Sequence, residues 1–176
     1  MFDPFFTWLE STAFSVWMRE SPSVFAFPII LAVHTIGLGL LAGINAAIDL
    51  RLLGIAARIP LLEFRRFLPY MWLGLWLNLA SGVALLIAYP TKALTNPLFY
   101  IKLALIATAL AILRVVRRRA LGGSAAPPLS GSGNMKRLAL ASLTCWAVAI
   151  AAGRFLAYTY IRLMVDSVPT PRPWIP

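Results

Sequence analysis

The sequence predicts an all-α protein, an integral membrane antiparallel four-helix bundle preceded by an interfacial amphipathic helix. Of the 176 residues, 60% are hydrophobic and 12% are charged, whereas soluble domains carry about 25% charged residues. The mean hydropathy is +0.81. Four apolar stretches are long enough to cross a bilayer as helices, which takes about 20 residues each. Because only helices and closed barrels satisfy their backbone hydrogen bonds in lipid, these stretches predict helices.

Residues 1–20 predict an amphipathic helix that lies in the membrane interface. Asp3 followed by Pro4 is a typical helix start, an N-cap and then a proline in the first turn. Trp8 and Trp17 suit a helix at the interface. The segment has no basic residue before position 19, so it does not have the pattern of a signal peptide. The Ser-Pro pair that follows it is expected to end the helix.

The membrane domain is expected to cover residues 21–164 and to contain all four spans. The predicted spans are 24–48, 67–89, 98–116 and 138–160. The tail, residues 165–176, contains four prolines and is expected to be extended, since an interior proline breaks a helix.

The distribution of basic residues predicts the orientation. Ten of the 16 Lys and Arg residues lie at the links after the first and third spans, and five lie on the opposite side. Because cytoplasmic loops carry the excess of basic residues, both links are expected in the cytoplasm and both termini outside. The net charge of +10 is therefore expected to serve topology and contacts with anionic lipids, and no nucleic-acid partner is expected.

His34, the only histidine, is expected near the middle of the bilayer, because it lies roughly 15 Å along the first span. An ionisable side chain at that depth is a functional candidate by default. Counting inward along the other spans gives a predicted cofactor-binding layer of five residues: His34, Asn78, Ser81, Thr108 and Arg154. No span offers Arg154 an acid at that level, so an anionic group is expected beside it, such as a haem propionate, a lipid phosphate or a carboxylate of a partner protein.

Three roles for His34 are open. The first is that of a structural residue that hydrogen-bonds to Asn78, Ser81 or a carbonyl group. The second is that of an axial ligand to the iron of haem b. The third is that of a hydrogen-bond donor to a quinone or another small molecule, with Arg154 shaping the site. A six-coordinate haem would need a second chain or a partner subunit, because the chain has no other histidine and no methionine at that height. No catalytic motif is evident, so enzymatic activity stays uncertain.

The first span has two distinct faces. One stripe at helical spacing consists of His34, Leu38, Leu41, Asn45 and Asp49. Gly39 and Gly43 lie roughly opposite and form a G-x-x-x-G pair, which favours close helix packing within the chain or between copies. Asp49 is expected to form an ion pair with Arg51 near the end of the span.

The string HTIGLGLLAG, followed by DLRLLG, covers residues 34–54. It resembles a group of uncharacterised bacterial four-span membrane proteins, a domain of unknown function. The resemblance implies the four-span layout and a bacterial membrane, and with the orientation that the basic residues predict, the expected location is the bacterial inner membrane with both termini outside. It brings no activity, substrate or cofactor, but the single histidine matches the pattern of the group.

The leading interpretation is a small multi-pass subunit of a membrane electron-transport complex, with haem b or quinone bound near His34. Its partners would be the lipid bilayer and other membrane or periplasmic subunits, or further copies in a homo-oligomer. The alternative is a non-catalytic membrane scaffold or small transporter, in which His34 is structural.

Overall fold

The computed structural model describes residues 3–120 and 133–166. Within these ranges the chain is helical and has no strand, which confirms the all-α prediction. The helices are α1 (Asp3–Glu10), α2 (Ala13–Glu20), α3 (Phe27–Leu53), a 3₁₀ helix (Leu61–Phe67), α4 (Leu68–Ala88), α5 (Pro90–Leu94), α6 (Pro97–Ala120) and α7 (Gly133–Asp166). Four helical stretches are long and apolar enough to span a membrane, namely α3, α4 with the 3₁₀ helix before it, α6 and α7. The chain is therefore a multi-pass membrane protein in contact with lipid.

The bundle consists of two helix pairs. α3 packs closely on α4, α6 packs closely on α7, and α3 also contacts α7 and joins the pairs. The main core cluster draws on all four spans, with Leu41 and Ile48 from α3, Met71 from α4, Leu113 from α6 and Trp146 from α7. We call the end of the bundle that carries the link 54–67 the basic end, and the end that carries α1, α2 and α5 the amino-terminal end.

The amino-terminal segment forms two short helices, where the sequence predicted one helix over residues 1–20. The break falls at Ser11 and Thr12, whose hydroxyl groups donate to the carbonyl oxygens of Trp8 and Leu9 at 2.7 and 2.8 Å. Thr12 also caps α2 by accepting a hydrogen bond from the backbone of Ser15. Hydroxyl side chains compete with helical hydrogen bonds in this way, which explains the break.

α2 is hydrogen-bonded to the C-terminal end of α4. The hydroxyl of Ser15 lies 3.3 and 3.2 Å from the carbonyl oxygens of Ile87 and Ala88. The guanidinium of Arg19 donates to the carbonyl oxygen of Ala88 at 3.1 Å and to that of Glu10 at 2.7 Å. These side chains satisfy carbonyl groups that a helix end leaves without partners. Aromatic side chains remain exposed on the two helices: Phe5, Trp8, Phe14 and Trp17.

Three helices extend beyond their predicted bounds, and α6 does so by four residues, to Ala120. α3 continues to Leu53 and is closed by Gly54, whose φ of 103° is the left-handed conformation that glycine adopts at helix ends. α7 continues to Asp166, so the first two residues of the predicted extended tail are helical. The rest of that tail, residues 167–176, lies outside the described residues.

The close approach of α3 and α4 uses a different pair of glycines from the one predicted. Gly39 and Gly43 are exposed, and a Cβ atom on either would meet nothing within 4 Å in the described part of the chain. Gly37 and Gly74 form the crossing of α3 and α4 instead, since a Cβ atom on Gly74 would lie 2.8 Å from the carbonyl oxygen of Gly37. Small residues at a crossing let two backbones approach this closely.

Candidate functional site

His34 lies on the face of α3 that meets α4, and its side chain is half-buried. Its Nδ1 lies 3.1 Å from the hydroxyl oxygen of Ser81. The amide nitrogen of Asn78 donates to the backbone carbonyl of His34 at 2.9 Å and lies 3.4 Å from both ring nitrogens. The structure thus brings together three of the five predicted site residues.

The hydrogen bonds of Ser81 indicate the tautomer of His34. The Ser81 hydroxyl lies 2.6 Å from the carbonyl oxygen of Leu77, which can only accept. With its proton directed there, the serine oxygen accepts from Nδ1–H of His34, and Nε2 keeps its lone pair. The assignment follows from the hydrogen-bond network, since the network decides which ring nitrogen carries the proton. Nε2 is therefore the acceptor nitrogen of the ring, and the amide nitrogen of Asn78 lies 3.4 Å from it.

The glycine crossing sets the surroundings of the imidazole. A Cβ atom on Gly37, one turn beyond His34, would lie 2.6 Å from the backbone nitrogen of Asn78. The backbones of α3 and α4 are thus in contact at Asn78, which lies one turn before Ser81 on α4. Further along α4, a Cβ atom on Gly82 would lie 3.3 Å from Cε1 of His34. Glycine at both positions lets the imidazole sit against the backbone of α4.

Thr108 and Arg154 do not join this cluster. Both side chains are exposed, and the hydroxyl of Thr108 donates to the carbonyl oxygen of Ala104 in its own helix at 2.8 Å. Counting residues along a span gives a depth, but the direction around the helix depends on packing. α6 and α7 turn these two positions away from His34.

Lys102 is the residue near His34 that sequence reasoning missed, because its charge was assigned only to the outer side of the membrane. Its side chain is half-buried in α6, and its Nζ lies 3.6 Å from where a Cβ atom on Gly153 of α7 would be. Its charge acts on the imidazole of His34 through space. A usable signal was present, since Lys102 falls inside the predicted third span and a lysine in a span is rare and often functional.

The predicted ion pair of Asp49 with Arg51 is wrong. The guanidinium of Arg51 donates to the carbonyl oxygens of Ile59 at 2.6 Å and Ala57 at 2.9 Å, and so closes the turn after α3. Asp49 is 1% exposed and faces α7. Residues two apart on a helix do not face each other, which explains the failure of this prediction.

Two cavities lie near the basic end, away from His34. The first has a volume of about 280 Å³ and is lined by Trp72, Leu110, Ala111, Leu113, Arg114 and Arg117. The second is lined by Arg119, Asn134, Arg137, Leu138 and Ala141. Within residues 3–120 and 133–166, no three His, Cys, Asp or Glu side chains lie close enough to hold a metal ion together. No protein-family model, curated protein sequence or solved structure matches this chain.

Proposed function

We propose that the chain is a small subunit of a membrane electron-transfer complex and that His34 binds a quinone head group. The observation that carries the proposal is the orientation of the imidazole. Ser81 holds Nδ1–H, and the hydroxyl of Ser81 is itself directed to Leu77. Nε2 is left as a fixed acceptor in the apolar layer of the membrane, and its contact with the Asn78 amide is long, at 3.4 Å, so that a ligand donor at a shorter distance would bind it better.

A quinone suits the polar groups near His34, of which the Asn78 amide contacts the ring. A quinol hydroxyl donates to Nε2 of His34, and a quinone carbonyl oxygen accepts from the amide of Asn78 or the ammonium of Lys102. The half-buried position of His34 leaves one side of the imidazole open toward the bilayer, from which a lipid-soluble quinone enters. Quinones supply two-electron chemistry coupled to protons, and the role of His34 is to accept the hydrogen bond of the quinol hydroxyl at Nε2.

Haem b is the second candidate, and the same hydrogen bond favours it. A histidine that ligates a metal usually donates its other ring N–H to a neighbouring acceptor, which fixes the ring. Ser81 is such an acceptor. Nε2 would hold the iron, and a second axial ligand would come from another copy of the chain or from a partner subunit.

We further propose the location and orientation that the basic residues favour. The basic end would face the cytoplasm of a bacterium, and the amino-terminal end would face outward from the inner membrane. The exposed aromatic side chains of α1 and α2 suit an interfacial position there. Partner subunits on the outer side, or a second copy packed on Gly39 and Gly43, would complete the complex. Membership of the four-span bacterial group that residues 34–54 resemble belongs to this proposal.

The test is to identify the cofactor that copurifies with the protein. The protein is isolated in mild detergent, its lipids are extracted and analysed for quinone, and its reduced-minus-oxidised visible spectrum is recorded. We expect about one quinone per chain, retained in Thr35→Val and lost in His34→Leu. Thr35 is the matched control, because it is exposed and its hydroxyl bonds to Leu31 of its own helix.

Each result decides between the candidates. A Soret band that disappears in His34→Leu, without bound quinone, would replace quinone by haem b. A folded protein with neither cofactor would overturn the redox proposal. The chain would then be a scaffold or small transporter in which the hydrogen bonds of His34 to α4 are structural.

A further inference from the structure

A second polar cluster lies between α3 and α7, toward the basic end and away from His34. Asn45 and Asp49 are one turn apart on α3, and Ser142 and Trp146 are one turn apart on α7. All four are at most 3% exposed. The amide nitrogen of Asn45 donates to the hydroxyl oxygen of Ser142 at 3.4 Å, and Ser142 also hydrogen-bonds to Asp49.

Two acceptor oxygens in this cluster have no partner among the described residues. They are Oδ1 of Asn45 and Oδ2 of Asp49, and the indole N–H of Trp146 is likewise without an acceptor there. Arg51, the nearest cationic residue along the chain, donates instead to two backbone carbonyl oxygens in the turn after α3, and no cationic side chain of the described residues bonds to Oδ2 of Asp49. A buried charge without a counter-charge is strongly unfavourable.

We propose that Asn45, Asp49 and Ser142 form a binding site for a small monovalent cation, and that the bound ion is Na⁺. The donor set is three oxygens of carboxylate, carboxamide and hydroxyl type, which suit hard cations. One carboxylate supplies a single negative charge, so a monovalent ion neutralises the site and a divalent ion would leave a buried positive charge. A proton would satisfy only Asp49, whereas a cation also takes the free oxygen of Asn45.

The site lies close to the basic end of the bundle. Asp49 lies one turn before the end of α3 at Leu53, roughly 6 Å along the axis at 1.5 Å per residue. His34 lies fifteen residues earlier, roughly 22 Å away along the same helix. The cation site therefore stands independently of the function proposed for His34.

The experiment measures binding of Na⁺ to the full-length protein in detergent at pH 8. Calorimetric titration with NaCl, in N-methyl-D-glucamine chloride at constant ionic strength, should give one saturable site per chain. The unfolding temperature should rise by several degrees as Na⁺ saturates, because a ligand that binds only the folded state stabilises it. Both effects should vanish in Asp49→Asn, which keeps the side-chain volume.

The control is Glu63→Gln, which removes one negative charge from a side chain that is 51% exposed. It should keep the full response to Na⁺. If Asp49→Asn fails to fold, Ser142→Ala should weaken Na⁺ binding at least tenfold. The proposal is overturned if the unaltered protein neither binds Na⁺ nor melts higher in its presence, or if Asp49→Asn responds as fully as Glu63→Gln.

Discussion

The backbone of Asn78 lies against Gly37 so closely that a Cβ atom at position 37 would be 2.6 Å from the Asn78 nitrogen. Real Cβ atoms essentially never approach another heavy atom within 3.0 Å, and the neighbouring atom here belongs to the backbone, which cannot swing aside as a side chain could. Since Asn78 also binds the carbonyl of His34, this contact fixes both the helix spacing and the geometry of the site.

We expect Gly37→Ala to destabilise the protein by about 1–3 kcal/mol, the usual cost of overpacking. Gly39→Ala is the matched control two residues away, where nothing lies within 4 Å of the new methyl group. It should be neutral or stabilising by up to about 1 kcal/mol, because alanine has the higher helix propensity. Thermal unfolding of both variants in the same detergent measures the difference. Equal stability of the two would show that the crossing is looser than described.

Lys102 and Arg154 should differ in their effect on the bound cofactor. Lys102→Met keeps the length of a half-buried side chain and removes the charge that acts on His34, so quinone retention should fall about tenfold. Arg154→Leu, at an exposed position, should change retention less than twofold. Quinone per chain after purification is the readout. The reverse order would favour the anionic partner that the sequence predicted for Arg154.

Arg19→Gln should loosen α2 from the end of α4. The variant loses charged hydrogen bonds to two carbonyl groups, and each such bond contributes up to about 3 kcal/mol to stability. Hydrogen exchange of the α2 amides should become faster while that of α3 stays unchanged. Glu20→Gln, at the exposed neighbouring position, serves for comparison and should exchange like the unaltered protein.

Reporter fusions test the orientation. Alkaline phosphatase fused after Pro176 should be active, because the enzyme folds only outside the cytoplasm, and a fusion after Arg58 should be inactive. The expectation rests on the excess of basic residues at the basic end. The opposite pattern of activity would reverse the orientation and place the amino-terminal end in the cytoplasm.

The number of spans could be predicted because it follows from apolar length, and helical periodicity places Leu41, Asn45 and Asp49 on one stripe of α3. Leu41, Asn45 and Asp49, all on that stripe, are buried. The depth of His34 relative to Asn78 and Ser81 follows from the same arithmetic, and these residues do meet.

The remaining features depend on how the helices are rotated and which faces meet. Glycine spacing alone did not distinguish Gly37, which packs against α4, from the exposed Gly39. The exposed positions of Thr108 and Arg154 have the same origin. The burial of Asp49 against α7 required knowledge of the contact between α3 and α7, which joins parts of the chain about 100 residues apart.

The pairing of consecutive spans has a consequence for biogenesis. Each pair, α3 with α4 and α6 with α7, finds its main contacts with its own neighbour in sequence. Each can therefore leave the translocon as a finished hairpin, and the seam between α3 and α7 closes in a later step within the bilayer. Substitutions that disrupt the contact of α3 with α7 should yield two inserted hairpins that do not associate, the kind of product that membrane proteases remove. Substitutions at the glycine crossing should instead destabilise the first hairpin, α3 with α4, before the two hairpins meet.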